Sequence, residues 1–124
     1  MDKAQALQNF WSGFGLSAYD ENSVPDGAVM PYITYKVATD SFERVLPLSG
    51  SLWYKSTSWA EISQKADEIA EAIAGRDGYY LSEIDGGYLW IVKGTPFAQR
   101  MREENDSNIR RIYINVTAEF LTAY

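Results

Sequence analysis

At 124 residues the chain has the length of a single domain, and its 46% hydrophobic and 23% charged residues are typical of a folded protein. It contains no cysteine and no histidine, which excludes thiolate nucleophiles, imidazole bases and His/Cys zinc sites. Seventeen acidic against eleven basic residues leave a net charge of -6, which disfavours nonspecific binding to nucleic acid.

The first residues, MDKAQALQNFW, have no basic region followed by an apolar run, and no segment approaches the roughly 18 apolar residues of a membrane span. We therefore expect one domain over residues 1–124 that is made in the cytoplasm and does not contact a membrane. No motif in the chain predicts a cofactor, a metal ion or a catalytic residue.

Residues 1–11 are predicted to form a short helix, because Leu7, Phe10 and Trp11 are spaced to share one helical face. The polar stretch 16–27 contains Pro-Asp-Gly and other turn residues. We predict a loop there.

Alternation of Ile33, Tyr35 and Val37 with polar residues predicts a strand in MPYITYKVA. A turn at residues 39–41 leads into FERVLPL, a weaker strand that Pro47 is expected to end. Together the two segments would make a hairpin.

Residues 59–74 are predicted to form the central amphipathic helix. Ser58 and Glu61 have the spacing of a capping box, and Gly75 is suited to the left-handed residue after the last turn. The apolar residues at helical spacing are Ile62, Ala66, Ile69, Ala70 and Ile73.

Two further strands, at 79–84 and 88–93, flank Asp-Gly-Gly and form the strongest predicted hairpin. The polar segment 94–108 is predicted to be a long loop with one helical turn near 97–103. The last segment, RRIYINVTAEF, alternates apolar and polar residues and predicts a strand with one buried face. The predicted order α, β, β, β, α, β, β, β indicates an α+β fold, with an antiparallel or mixed sheet packed by the central helix and the short N-terminal helix.

The stretch LWYKSTSWAEI raises the question of a ligand site, because aromatic rings beside Lys55 are suited to stacking on a sugar. Successive strand residues face opposite ways, so Trp53 and Tyr54 cannot both line one site. We favour burial of this strand on both faces, with a carbohydrate-binding or adhesion module as the alternative function.

Paired carboxylates are the remaining candidates for catalysis. The pairs are Asp20 with Glu21, Asp67 with Glu68, and Glu103 with Glu104. A solvated surface explains them better, because the helical pair lies on the predicted solvent side and the others lie in polar loops. A carboxylate-dependent hydrolase is the least favoured function.

The chain contains the segments PYITY, LWYKSTSWAEISQKADEI, KGTPFAQRM and RRIYINVTAEF, and a Gly-Gly hairpin that ends in LWI. Together these features resemble the tail terminator (tail completion) proteins of long-tailed bacteriophages, which are also called minor capsid or head-tail connector proteins. The resemblance covers about residues 31–124. It implies a non-enzymatic virion protein of the tail and neck, assembled in the host cytoplasm. Such a protein would form a homohexameric ring that caps the tail tube, ends its polymerisation and joins it to the head connector protein.

The resemblance brings no catalytic residues, and DNA would pass through the ring lumen without specific binding. Only interface residues are predicted. They are Trp53, Lys55, Phe97, Arg100, Met101 and Arg102. We expect Arg100 and Arg102 to face acidic residues of the adjacent subunit or of the tube.

Overall fold

The computed structural model describes residues 1–36, 45–75, 77–103 and 106–122. Within them, six strands form one mixed sheet in the order β1-β2-β3-β6-β5-β4, in which only β1 and β2 pair in parallel. The elements are α1 (Lys3–Ser12), β1 (Ser17–Asp20), β2 (Tyr32–Tyr35), β3 (Val45–Lys55), α2 (Ala60–Ala74), β4 (Tyr80–Ile84), β5 (Gly87–Met101) and β6 (Ile109–Thr122). The α+β prediction with a short N-terminal helix and a central helix is confirmed.

Both helices pack on the same face of the sheet. Trp11 of α1 stacks on Tyr35 of β2, with ring centroids 6.2 Å apart. The apolar stripe of α2 is buried over β5 and β6, whose inward residues alternate as predicted. The buried residues of β6 are Ile112, Ile114, Val116, Ala118 and Phe120. The core therefore forms one layer between the helices and this face.

The predicted capping box at the start of α2 is wrong. The N-cap residue is Trp59, whose side chain makes no capping hydrogen bond. Ser58 Oγ instead accepts a hydrogen bond from the Ala60 N–H at 3.1 Å. At the other end Gly75 has φ 49° and donates its N–H to the Glu71 carbonyl at 2.7 Å, so the glycine was predicted correctly.

Pro47 does not end a strand. β3 runs without interruption from Val45 to Lys55, so the end of FERVLPL and the strand through Trp53 are one element. The Ser49 carbonyl accepts from the Lys36 N–H, so the backbone groups of Ser49 and, two residues earlier, of Pro47 face away from β6. β2 pairs only with residues 50–53 of β3, so among the described residues no ladder hydrogen bond requires an N–H from Pro47. β2 does pair antiparallel with β3, but opposite residues 50–53. The predicted turn at 39–41 and the neighbouring residues 37–44 lie outside the described residues.

The segment 94–108 is not a long loop. β5 extends to Met101, and β6 begins at Ile109. The ladder is irregular only between Lys93 and Ala98, where Asn115 Nδ2 donates to the Pro96 carbonyl at 3.1 Å. Polar residues are common here because much of this half of β5 is solvent-exposed, which explains why its composition resembles that of a loop.

The predicted loop at 16–27 is wrong at its beginning. Residues Ser17–Asp20 form β1, a four-residue edge strand that pairs with β2 and buries Ala18. A strand this short has no periodicity of its own, so only the neighbouring strand reveals it.

The second face of the sheet, which we call the open face, carries no further layer among the described residues. Trp53 and Tyr54 point to opposite faces as predicted, with Tyr54 buried on the helix side. Trp53 lies half-buried on the open face. The prediction that both faces of this strand are buried is therefore wrong.

Candidate functional site

A cleft of about 490 Å³ lies where β5 ends and β6 begins, close to the start of α2. We call it the arginine cleft. Its lining residues are Trp59, Arg100, Met101, Arg102, Glu103, Ser107, Ile109 and Arg110. A smaller cleft of about 180 Å³ between α2 and β5 shares Arg100 with it. The cleft brings three of the predicted interface residues together: Arg100, Met101 and Arg102.

Trp59 forms the aromatic part of the arginine cleft. The guanidinium carbon of Arg100 lies 4.9 Å from the centroid of this ring, and that of Arg110 lies 5.3 Å from it. Both distances are within the range of a cation–π interaction. Arg100 also approaches Ser63 Oγ of α2 at 3.5 Å. The indole therefore holds two cations at the mouth of the cleft.

Arg110 joins the start of β6 to the segment before α2. Its guanidinium donates to the Thr57 carbonyl at 2.7 Å and to the carbonyls of Ser107 at 2.9 Å and Ile109 at 3.2 Å. Its Nε is buried and has no hydrogen-bond partner among the described residues. This arginine is therefore primarily an anchor that shapes the cleft.

We expect Arg110→Lys to lower the free energy of unfolding by about 2 kcal/mol, because an ammonium group cannot reproduce the planar fork that reaches all three carbonyls. Urea denaturation followed by tryptophan fluorescence would measure the loss. Arg102→Lys, at an exposed residue of the same cleft, is the matched control and should change stability by less than about 0.5 kcal/mol. Equal losses in the two variants would show that Arg110 is no anchor.

Among the described residues, the four arginines at this end of the sheet have no ion-pair partner. Within the described ranges, no carboxylate lies within 4.0 Å of the guanidinium of Arg100, Arg102, Arg110 or Arg111. This is notable in a chain with more acidic than basic residues. Arg100 and Arg102 are exposed, and their guanidinium groups are suited to recognising carboxylates of another chain.

The open face continues the site around the end of the sheet. Trp53 and Arg111 are register partners, and the Arg111 guanidinium carbon lies 4.7 Å from the Trp53 ring centroid. Arg111 Nε donates to Ser51 Oγ at 3.0 Å, and Trp53 Nε1 donates to Thr34 Oγ1 at 2.8 Å. Both side chains are therefore held in place before any partner binds.

The remaining predicted interface residues occupy different places. Lys55 is exposed at the end of β3, opposite Ile109, and so lies at the same end as the cleft. Phe97 lies apart, at the irregularity of β5, where it is half-buried and packs against the core. Its contacts are those of a core residue, so it is the weakest of the six predicted interface residues.

Sequence reasoning missed Arg110 and Arg111 as members of the site, and it considered Trp59 only as part of a possible sugar platform with Trp53 and Lys55. A signal was present, since two consecutive arginines at the start of a strand must point to opposite faces. One of them therefore reaches the helix side and the other the open face. Trp53 lies beside Arg111 because of strand register, and Trp59 lies beside Arg110 because of the path of the chain from β3 into α2; the sequence specifies neither.

Burial raises the pKa of Tyr54 above its usual value, and the nearby carboxylates of Glu61 and Glu68 add to the increase. Burial, with a smaller effect of Asp20, also raises the pKa of Tyr35. Both hydroxyl groups therefore stay protonated and uncharged at neutral pH, as is suitable for core residues beneath the helices.

The geometry gives little support to a sugar site. Arg111 lies over the Trp53 ring and Arg100 over the Trp59 ring, so a sugar would have to displace a cation from either ring. Among the described residues, no group of three or more acidic side chains could hold a metal ion. Asp67 and Glu68 are exposed on α2, as predicted.

Within the described residues, no helix is long and apolar enough to cross a membrane. No protein-family model matches the chain, and no curated protein matches it. Among solved structures, it is similar to a chain in the virion of a native gene transfer agent (GTA) particle. The TM-score is 0.52 and the sequence identity is 24%, over 88% of this chain and 82% of that chain. The two chains thus share a fold.

Proposed function

We propose that this protein is a non-enzymatic structural component of a phage-type virion. More specifically, it acts at the neck, where copies form a ring that caps the tail tube, ends its polymerisation and joins it to the head connector protein. The ring is a homohexamer, DNA passes through its lumen without specific binding, and assembly takes place in the host cytoplasm.

The observation that carries the proposal is the shared fold with a chain of a GTA virion, which extends over most of both chains. The net charge of -6 also supports it, because a negative lumen wall minimises attraction of DNA phosphates. The sequence resemblance to tail terminator proteins, described above, is an independent argument for the same assembly role.

The arginine cleft supports an interface in particular. Its guanidinium groups are oriented by Trp59 and by backbone carbonyls, and they have no internal carboxylate partners among the described residues. Arginine beside an aromatic ring is a composition enriched at protein interfaces. The site therefore fits a protein partner better than a reaction.

Deletion of the gene from its own phage or particle genome would test the proposal. A protein that caps tails should leave overlong tails without heads, and electron microscopy of purified particles would measure their lengths. The labelled protein should bind one end of purified tail tubes. Binding to the portal assembly instead would make it a head-side connector, and normal, head-attached tails after the deletion would refute the proposed function.

Reversal of two cleft charges, in Arg100→Glu with Arg102→Glu, should abolish capping of tail tubes while the protein remains folded. The reason is that two cations facing carboxylates of a partner become two repelling anions. Complementation of the deletion with this variant should lower the yield of infectious or transferring particles at least about 100-fold, since central interface residues commonly cost 2 kcal/mol or more. Circular dichroism would verify the fold.

Lys93→Glu is the matched control, because Lys93 is an exposed cation on β5 that lies outside the arginine cleft. It should complement the deletion as well as the unchanged gene does. If the double variant complements equally well, Arg100 and Arg102 are not interface residues.

A further inference from the structure

A patch of exposed apolar side chains lies on the open face at the end opposite the arginine cleft. We call it the apolar patch; it consists of the exposed side chains of Tyr79, Leu81, Tyr88 and Leu121 and the half-buried ring of Trp90. Strand register places Leu81 opposite Trp90 and Tyr88 opposite Leu121. Leu81 is 48% exposed, Tyr88 47% and Tyr79 39%. Contiguous apolar surface of this kind is typical of protein contacts.

The apolar patch has acidic neighbours. Glu83 lies on the same face opposite Tyr88 and is exposed, and Asp77 lies in the exposed turn before β4. Asp85, in the turn after β4, is ion-paired with the Met1 ammonium at 2.7 Å. A complementary partner surface therefore combines apolar groups with cations.

The other end of the same sheet combines an apolar side chain with cations. Arg100 and Arg102 line the arginine cleft, and Met101 is an exposed apolar side chain beside Arg111. Glu103 and Asp106 are the described carboxylates nearby, and Glu104 lies outside the described residues. In this chain the same sheet thus has an apolar, acid-rimmed end and an arginine-rich end.

The two ends are far apart on the molecule. Ile109 borders the arginine cleft and Leu121 belongs to the apolar patch, and they lie near opposite ends of β6. Twelve residues of strand separate their positions by roughly 40 Å. One protomer can therefore use both surfaces at once, each with a different neighbour, which is what a head-to-tail assembly requires.

We propose that the apolar patch of one copy binds the arginine-cleft end of the next copy, and that this heterologous contact joins the subunits. The inference rests on the proposed function, because it names the surfaces by which copies of the chain would close into a ring. The apolar side chains supply most of the buried area, and the facing charges set orientation and register.

Two variants of the full chain test the contact. The patch variant carries Leu81→Lys and Glu83→Lys, and the cleft variant carries Arg100→Glu and Arg102→Glu. Sedimentation velocity and native mass spectrometry across a concentration series would measure association of the purified proteins. Each variant alone should associate at least about 100-fold more weakly than the wild type, because each has lost one side of the contact.

Mixing the two variants gives the decisive result. Each retains the surface that the other has lost, so an equimolar mixture should form a one-to-one heterodimer that cannot extend. Its dissociation constant should lie within about tenfold of the wild-type contact. The wild-type association should also weaken between low and high salt, because its charges are near the surface.

Matched controls separate this effect from general changes in hydrophobicity or charge. Val29→Lys replaces an apolar residue that is 79% exposed and lies outside the patch. Lys93→Glu reverses an exposed cation away from both ends. Both should associate like the wild type, and thermal unfolding would verify that all four variants are folded.

Three outcomes would overturn the inference: a wild-type chain that stays monomeric at about 1 mM, assembly that stops at a symmetric dimer, or variants that fail to combine on mixing. None of these would refute the neck function, which is judged from virions and from tail tubes. Conversely, self-association by these two surfaces with normal tails after gene deletion would preserve the contact and reject the neck function.

Discussion

Gly87→Ala is expected to destabilise the protein by about 3 kcal/mol or more, because no space exists for a methyl group there. A Cβ at Gly87 would overlap the backbone carbonyl oxygen of Leu121 and lie 2.9 Å from its carbon. The obstacle is backbone, so it cannot be relieved by a rotamer change. Gly87 pairs with both Ile84 and Thr122, and any shift would disturb pairing on both sides of β5.

Urea unfolding followed by circular dichroism would measure the loss at Gly87. Gly27→Ala is the control, since nothing lies within 4 Å of a Cβ at Gly27. This control should change the free energy of unfolding by less than about 0.5 kcal/mol. If the two variants are equally stable, β5 and β6 do not approach as closely as described.

Trp11→Ala should cost about 3–5 kcal/mol, a large part of the total stability of a domain of this size. Trp11 is 1% exposed, and its ring fills the space above Gly50, where a Cβ would lie only 2.9 Å from it. It also contacts the rings of Phe10 at 5.0 Å and Tyr35 at 6.2 Å. Removing the ring therefore opens a cavity beneath α1.

Trp11→Phe is the informative comparison for this position. The buried indole N–H has no hydrogen-bond partner among the described residues, so phenylalanine keeps much of the packing and removes an unsatisfied donor. We expect it to cost less than about 2 kcal/mol by thermal and urea unfolding. A loss as large as that of Trp11→Ala would mean that the indole N–H is satisfied in solution.

The predicted and observed element orders agree, but the agreement partly results from two errors that cancel. FERVLPL and the strand through Trp53 were predicted as two elements, and they contribute to one strand, β3. The strand β1 was not predicted, and its presence makes the number of described strands equal to the predicted number. Local turn chemistry misled both predictions: Pro47 was read as a stop, and the polar residues after Leu16 were read as a loop.

Three of the eight residues that line the arginine cleft could be predicted from residue types. Arg100, Met101 and Arg102 were chosen because such residues are common at interfaces, and they share one cleft. Trp59 and Arg110 could not be assigned, since their proximity depends on pairing between β3 and β6. Phe97 belongs to the same sequence segment, yet the irregularity of β5 directs it against the core.

The sequence by itself determined the elements with strong local periodicity. These are the two helices, the hairpin around Asp85 and the inward face of β6, because side-chain period and turn residues are properties of neighbouring positions. Tertiary structure alone decided the edge strand β1, the passage of β3 through Pro47 and the extension of β5 to Met101. It also decided that one face of the sheet lacks a covering layer among the described residues. Those features depend on hydrogen bonds and burial supplied by distant segments, which no local pattern encodes.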